Sequence, residues 1–275
     1  MTDFPRACVI GNPISHSLSP KLHGYWLNRY GIIGEYTALK VTDKELEKTL
    51  RGLPAKGFVG ANITLPHKTD VLKIADQVTD RATLIGAANT LIFKADGGIF
   101  ADNTDGYGFT ANLRQGAPEW DSKSGPALVF GAGGAARAVI VALTDAGVPE
   151  IILTNRTRAK ADALRADFGA RIRVVDWVQA AKAVQEASVV VNTTSLGMKG
   201  AADFKVSLDG LRPATVVTDI VYNPLETPLL RAAREKGCVT VDGLGMLLHQ
   251  GVPGFERWFG QRPEVDEATR QAVLA

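Results

Sequence analysis

Three groups of residues in this 275-residue chain have types and spacings suited to chemistry. The first is Gly131-Ala132-Gly133-Gly134-Ala135-Ala136, set between an apolar run at 127–130 and a second one at 138–143. G-x-G-x-x-A between a strand and a helix is the layout that binds a dinucleotide. Gly131 allows the tight turn, and Gly133, with no Cβ, lets a pyrophosphate approach the backbone. Ala136 permits close packing of helix on strand, and the free N–H groups of the first helical turn hold the anion. The chemistry implied is hydride transfer with a nicotinamide cofactor.

The second group follows the next strand, 150–154, and reads Asn155-Arg156-Thr157-Arg158-Ala159-Lys160. An NAD site needs a carboxylate here for the ribose 2′-hydroxyl. The chain has Asn155 instead, followed by three cations. A 2′-phosphate carries about two negative charges, and arginine binds it bidentately while stacking on the adenine. A solvated basic turn capping a helix through Thr157 is the plainer alternative. The position at the end of the second strand favours NADP.

The third group is polar and N-terminal. Ser17 and Ser19, read as an extended segment, point to one side, as do Asn62 and Thr64. Asn89 closes a further strand, and Asp102-Asn103-Thr104-Asp105-Gly106 follows another. Open α/β sheets bind ligands beyond the carboxyl ends of their strands. These clusters together suggest a pocket for a hydroxylated substrate. Lys68 stands two residues after Pro66, which reads as the first turn of a helix continuing through Val71, Leu72 and Ala75. A cation at a helix N-terminus is disfavoured by about 0.3–1 kcal/mol. Such a lysine either turns to solvent or is kept for proton exchange.

The elements that must position these groups form two α/β blocks. Strands are expected at 8–10, 35–41, 58–65 and 88–93, and then at 127–130, 150–154, 172–175, 188–191 and 216–220. Ser19-Pro20 reads as an N-cap with proline at the first helical position, and Gly31 stops that helix. Thr42-Asp43-Lys44-Glu45 is a capping box. A helix is expected over 105–114 and a loop over 115–126. Residues 243–275 are expected to be helical and to pack back on the first domain. The expected division is 1–105, completed by 243–275, as the substrate domain and 106–242 as a doubly wound Rossmann domain.

Composition narrows the class. The chain is 45% hydrophobic and 22% charged with a net charge of +2, which gives no case for nucleic-acid or membrane binding. Cys8 and Cys238 are the only cysteines, so no disulfide framework is expected. His16, His23, His67 and His249 lack ligand spacing, and no metal is expected. Residues 125–143 carry a single charge, but Arg137 and the glycines argue against a membrane span. No signal peptide is evident, and a cytoplasmic enzyme is expected. A homodimer stays open.

Taken in order, Gly11-Asn12-Pro13, Ser17-Leu18-Ser19-Pro20, Asn62-Ile63-Thr64-Leu65-Pro66-His67-Lys68, Ala88-Asn89-Thr90 and Asp102-Asn103-Thr104-Asp105-Gly106 spell a family pattern. It continues through the glycine turn, Asn155-Arg156-Thr157, Asn192-Thr193-Thr194 and Asp242-Gly243-Leu244-Gly245-Met246. Along its whole length the chain resembles the shikimate dehydrogenases. The resemblance implies NADP-linked, reversible reduction of 3-dehydroshikimate to shikimate in aromatic amino-acid biosynthesis. It implies a catalytic pair at Lys68 and Asp105, and substrate contacts from Ser17, Ser19, Asn62, Thr64, Asn89, Tyr222 and Gln250. Cofactor contacts are implied for Gly131, Ala132, Gly133, Gly134, Ala135, Asn155, Arg156, Thr157, Lys160, Gly243 and Met246. Arg158 is an additional cation with no assigned role.

Three rival readings compete with this one. Tyr36-Thr37-Ala38-Leu39-Lys40 has the Tyr-x-x-x-Lys letters of short-chain dehydrogenases, but it precedes the glycine turn and alternates like a strand. An NAD-linked quinate/shikimate enzyme is the serious alternative. Family members of that kind tend to carry threonine at the Ser19 position and an acidic residue near Asn155. A non-enzymatic nucleotide sensor would have lost Lys68 or Asp105, and both are present. The Asp102–Gly106 stretch lacks calcium-loop spacing and reads as an Asx turn.

Overall fold

Alternation of apolar and polar residues in the N-terminal third yields a mixed sheet, and the buried β-branched runs after residue 126 yield a parallel one. The computed structural model describes residues 4–275. They fall into two compact units, one up to Asp105 together with Leu247–Ala275, the other Gly106–Met246.

The first unit holds β1 (Arg6–Gly11), α1 (Ser19–Arg29), β2 (Glu35–Lys40), α2 (Leu46–Gly52), β3 (Phe58–Ile63), α3 (Val71–Ile74), β4 (Gln77–Val78), α4 (Asp80–Ile85), β5 (Thr90–Phe93) and β6 (Ile99–Asp102). Its sheet runs β2-β1-β3-β5-β6-β4, with β5 antiparallel to both neighbours and the remaining pairs parallel. That reversal matters for the site. Asn62 pairs with Thr90, and Thr90 with Asp102, so the amino end of β5 lies between the carboxyl ends of β3 and β6. Asn89 therefore does not close a strand. It precedes one, and still reaches the edge where Thr64 and Asp105 begin.

Several local expectations change. Ser19 is the first helical residue of α1 and makes no cap; it is 5% exposed. Residues 14–18 form turns rather than an extended segment, with Ser17 N–H bonded to Ile14 O at 3.1 Å. Pro66 does not start a helix. Residues 65–70 are turns, and α3 is only four residues long, so Lys68 sits at no helix N-terminus. The Thr42–Glu45 capping box is formed, opening a short 3₁₀ turn before α2. Gly31, at φ +62°, ends α1 in the left-handed conformation that glycine tolerates best.

The second unit contains α5 (Asp105–Gly116, whose first residue belongs to the first unit), β7 (Ala127–Phe130), α6 (Gly134–Asp145), β8 (Ile151–Thr154), α7 (Arg158–Phe168), β9 (Ile172–Val174), α8 (Ala180–Glu186), β10 (Val189–Asn192), β11 (Val216–Asp219), α9 (Pro228–Glu235) and β12 (Val239–Val241). The sheet is wholly parallel in the order β12-β11-β10-β7-β8-β9. The chain reverses direction of winding between β7 and β10, the switch point at which such sheets bind ligands. Both sheet faces are covered, by one apolar cluster around Val139, Ile140 and Phe109 and another around Phe130, Val184 and Leu230.

The C-terminal segment forms α10 (Leu244–Phe259) and α11 (Glu267–Leu274). Within the first unit α11 packs along α1, and Arg29 pairs with Asp266 at 2.8 Å. Trp258 donates its indole N–H to Leu91 O at 2.9 Å, lying where any side chain on Gly60 would stand. No helix among the described residues is long and apolar enough to cross a membrane.

The core of the first unit has an acid-sensitive centre. His23 is fully buried, its ring stacked 3.9 Å from Tyr36, and neither ring nitrogen has a hydrogen-bond partner. Burial pushes its pKa from 6.5 down to about 3. Between those values the unfolded chain binds the extra proton, so stability falls as pH drops from 6.5 toward 3. From pH 7 to pH 5 the loss from this one group is about 2 kcal/mol. His23→Phe keeps the stacked ring and cannot protonate, while His249, pushed down to about 4 by burial, remains in both proteins. Urea melts at the two pH values should show a smaller acid loss in the variant by about that amount; equal losses would contradict it.

Candidate active site

The edge where β3, β5 and β6 meet carries a continuous polar network. Lys68 Nζ lies 2.6 Å from Asp105 Oδ2, an ion pair whose lysine side chain is 26% exposed and whose carboxylate is 11% exposed. Asp105 Oδ1 accepts from Asn89 Nδ2 at 2.7 Å. The same amide nitrogen donates to Gln250 Oε1 on α10 at 3.2 Å. Asn89 Oδ1 accepts from Thr104 N–H at 2.8 Å and from the hydroxyls of Thr90 and Thr104. With its oxygen accepting from the Thr104 backbone N–H, the amide of Asn89 has one orientation and fixes the rotamer of Asp105.

Each member of the network is held by its backbone context. Asp105 N–H donates to Asn103 Oδ1 at 3.0 Å, the Asx turn expected in this stretch. The carboxylate opens α5, where the positive end of the helix dipole favours negative charge. The turn bearing Lys68 is tied down on both sides, since Ala88 N–H donates to Lys68 O at 2.8 Å and His67 Nε2 lies 2.8 Å from Val41 O. A carbonyl only accepts, so that nitrogen carries the proton. Asn62 is 5% exposed and donates to Asn89 O at 3.1 Å. Ser17 Oγ accepts from Ser19 N–H at 3.3 Å, and Thr64, half-buried, lies against Gly11, which has no room for a side chain. The structure thus brings Lys68, Asp105, Asn89, Asn62 and Gln250 together directly, and Ser17 with Ser19. Tyr222 belongs to the second unit and is half-buried.

In the second unit, Gly131 has φ +110°, and a Cβ there would lie 2.6 Å from Thr193 Oγ1. No residue with a side chain fits that turn. Gly133 and Gly134 are exposed, and a Cβ at either would meet nothing within 4 Å. The first bond of α6 is Arg137 N–H to Gly133 O, which leaves the N–H groups of Gly134, Ala135 and Ala136 outside the helical ladder. Ala132 and Met246 pack on the unit's core, and Gly243 abuts the Ile220 carbonyl. An open glycine cradle at a helix N-terminus fits a pyrophosphate.

The basic stretch divides by charge pairing. Arg158 pairs with Asp176 at 2.7 Å and with Asp162 at 3.5 Å, so its charge is compensated. Arg156 and Lys160 are exposed, with no ion pair among the described residues. Thr157 occupies the N-cap position of α7 without a side-chain cap; Asn155 Nδ2 instead donates to Thr157 O at 2.8 Å. Two uncompensated cations beside an amide, with no carboxylate closing β8, suit a 2′-phosphate.

Three stretches of the chain match known family models. Residues 9–91 match the shikimate dehydrogenase substrate binding domain, 114–199 the shikimate/quinate 5-dehydrogenase domain, and 243–274 the shikimate 5′-dehydrogenase C-terminal domain. A shikimate dehydrogenase (NADP(+)) from Roseobacter denitrificans is 66% identical over 274 residues, covering 100% of this chain and 99% of that protein. The chain belongs to the shikimate dehydrogenase family. Among solved structures of that family, shikimate 5-dehydrogenase from Thermus thermophilus, in complex with NADP(H) and shikimate, is 38% identical with a TM-score of 0.86, covering 97% of this chain and 99% of that one. Quinate dehydrogenase from Corynebacterium glutamicum, in complex with NAD, is 31% identical with a TM-score of 0.91, covering 98% and 99%.

Two residues of this shikimate dehydrogenase family member escape a reading of the sequence. Tyr36, dismissed as half of a false Tyr-x-x-x-Lys match, is buried in β2 and donates its hydroxyl to Asn62 Oδ1 at 2.6 Å. Its signal is an aromatic with a polar tip on the inward side of an alternating strand. Thr104 joins Asn89, Thr90 and the Gln250 carbonyl, the last at 2.9 Å. Nothing in its spacing marks it out from Asn103 beside it.

Proposed function

We propose that this protein catalyses the reversible NADP-linked reduction of 3-dehydroshikimate to shikimate, in the cytoplasm. The observation that carries the reading is the Lys68–Asp105 ion pair, 2.6 Å long, in a chain of this family. The unit up to Asp105 with Leu247–Ala275 acts as the substrate domain, and Gly106–Met246 as the nucleotide domain.

Bound NADP supplies or takes the hydride. The residues of the chain handle the proton, the charge and the orientation. Lys68 keeps two ammonium N–H groups beyond the one given to Asp105. They bond the ring oxygen that is a ketone on one side of the reaction and a hydroxyl on the other. In reduction the ammonium gives that oxygen its proton as negative charge develops there. Asp105 holds the ammonium in place, and Asn89 and Gln250 hold Asp105 and a neighbouring ring hydroxyl. Ser17 and Ser19 bond the substrate carboxylate, while Asn62, Thr64 and Tyr222 bond other polar groups of the ring. Gly131 to Ala135 receive the pyrophosphate, Arg156, Thr157 and Lys160 with Asn155 receive the 2′-phosphate, and Gly243 and Met246 border the remainder of the cofactor. Arg158, committed to Asp176, braces the turn.

Shikimate and quinate separate at one carbon. Quinate adds a hydroxyl at the carbon bearing the carboxylate, and a pocket that grips the carboxylate of a flat, unsaturated carbon rejects the extra group sterically. Initial rates with shikimate and quinate, each with NADP and NAD, should show shikimate with NADP strongly preferred. Comparable efficiency on quinate with NAD would move the protein to the quinate/shikimate class. Light scattering on the same samples tests for a homodimer.

A further inference from the structure

Asp219 is a buried charged group that the reaction leaves unused. It ends β11, is fully buried, and has no cationic partner among the described residues. A carboxylate in that position costs stability unless hydrogen bonds compensate it. Burial pushes its pKa up to about 6. Its oxygens accept from Asn192 Nδ2 at 2.9 Å, Val221 N–H at 3.0 Å and Thr227 Oγ1 at 2.8 Å.

An ionised carboxylate only accepts, so it dictates the direction of each bond around it. Asn192, its register partner at the end of β10, must turn its NH₂ toward Asp219. That turns Asn192 Oδ1 toward Thr194, whose N–H and hydroxyl both donate to it, at 3.0 and 2.7 Å. Thr194 Oγ1 then accepts from Leu196 N–H at 3.1 Å. Thr193, in the same turn, donates to Phe130 O at 2.7 Å and is the group against which Gly131 stands bare. On the other side Val221 and Thr227 fix the two ends of the segment that carries Tyr222, and Thr227 caps α9 through Leu230 N–H. One carboxylate thus links the turn beside the glycine cradle to the Tyr222 segment.

We propose that Asp219 is a positioning residue for the dinucleotide site: by orienting Asn192 it holds the 193–196 turn against the glycine turn in the shape that receives the cofactor, and it anchors the segment bearing Tyr222. This rests on the dinucleotide reading of that site.

The test is direct binding of NADPH, followed by fluorescence titration, in folded variants. Asp219→Asn sets an amide donor against donors from Asn192, Val221 or Thr227. It should retain the circular dichroism of the parent protein while its NADPH Kd rises about tenfold, with the KM for shikimate rising as well. Thr227→Ser keeps the hydroxyl donor and should bind like the parent, whereas Thr227→Val, close in volume, should bind more weakly. A folded Asp219→Asn protein with a lower melting temperature and the parent Kd would overturn the proposal, leaving Asp219 a packing group. If Asp219→Asn does not fold, equal Kd values for the two Thr227 variants would overturn it. Failure of the unmutated protein to bind NADPH would strike at the dinucleotide reading itself, and is a separate outcome.

Discussion

Replacing Lys68 by alanine is expected to lower kcat for shikimate oxidation by about 10²–10⁴-fold, the usual contribution of a positioned acid–base group. The KM for shikimate should change little, because the bond from the ammonium to the reacting oxygen strengthens mainly as charge develops there. The geometry makes the expectation sharp. The ammonium is held 2.6 Å from Asp105, and Asp105 is held by an amide that the Thr104 backbone N–H allows only one way round. Asp105→Asn keeps the shape and removes the charge, and it too should act mainly on kcat. Steady-state kinetics on variants shown to be folded decide the matter. A Lys68→Ala enzyme with near-normal kcat would leave the mechanism without a proton carrier.

Arg156→Ala is expected to weaken NADP binding by about 1.5–3 kcal/mol, the worth of a hydrogen bond to a charged group, while leaving NAD binding nearly unchanged. That is roughly one to two powers of ten in affinity. Arg158→Ala should discriminate far less between the cofactors, because Asp176 and Asp162 already occupy its guanidinium. Calorimetric titration of both variants with both cofactors checks this. Equal losses for NADP and NAD at Arg156 would mean that the side chain supports the turn and does not recognise the 2′-phosphate.

The second unit was legible in the sequence because each of its parts is local. A buried apolar run, a glycine turn and an amphipathic helix recur along the chain, and a parallel sheet follows from that repetition. Its last strand, β12, and β4 in the first unit leave no mark in the sequence; three and two residues are too few to show alternation. The first unit was less legible because its sheet depends on distant pairing. Nothing near residue 90 announces that β5 runs against its neighbours, so the sequence puts Asn89 at the wrong end of its strand. Its presence at the polar edge was nevertheless expected. Ser19 and Lys68 show the same limit. Serine before proline reads as a cap, and lysine after proline as a first helical turn, until burial beside Tyr36 or a hydrogen bond from Ala88 settles the local conformation otherwise. The Lys68–Asp105 ion pair forms despite these local differences. What the residues could not give was the wiring: that Asn89 points at Asp105, that Tyr36 holds Asn62, and that Asp219 turns Asn192.

The first unit is assembled from the two ends of the chain, and this bears on its manufacture. Its sheet is complete once Asp102 has been added, but Trp258, which fills the space over Gly60, and α11, which packs along α1, come more than a hundred residues later. At ribosomal rates of about 5–20 residues per second, the sheet waits on the order of ten seconds for its cover. The second unit is one uninterrupted stretch and has no such wait. A nascent chain released early would therefore expose an uncovered apolar sheet face, the kind of surface that makes folding intermediates prone to aggregate.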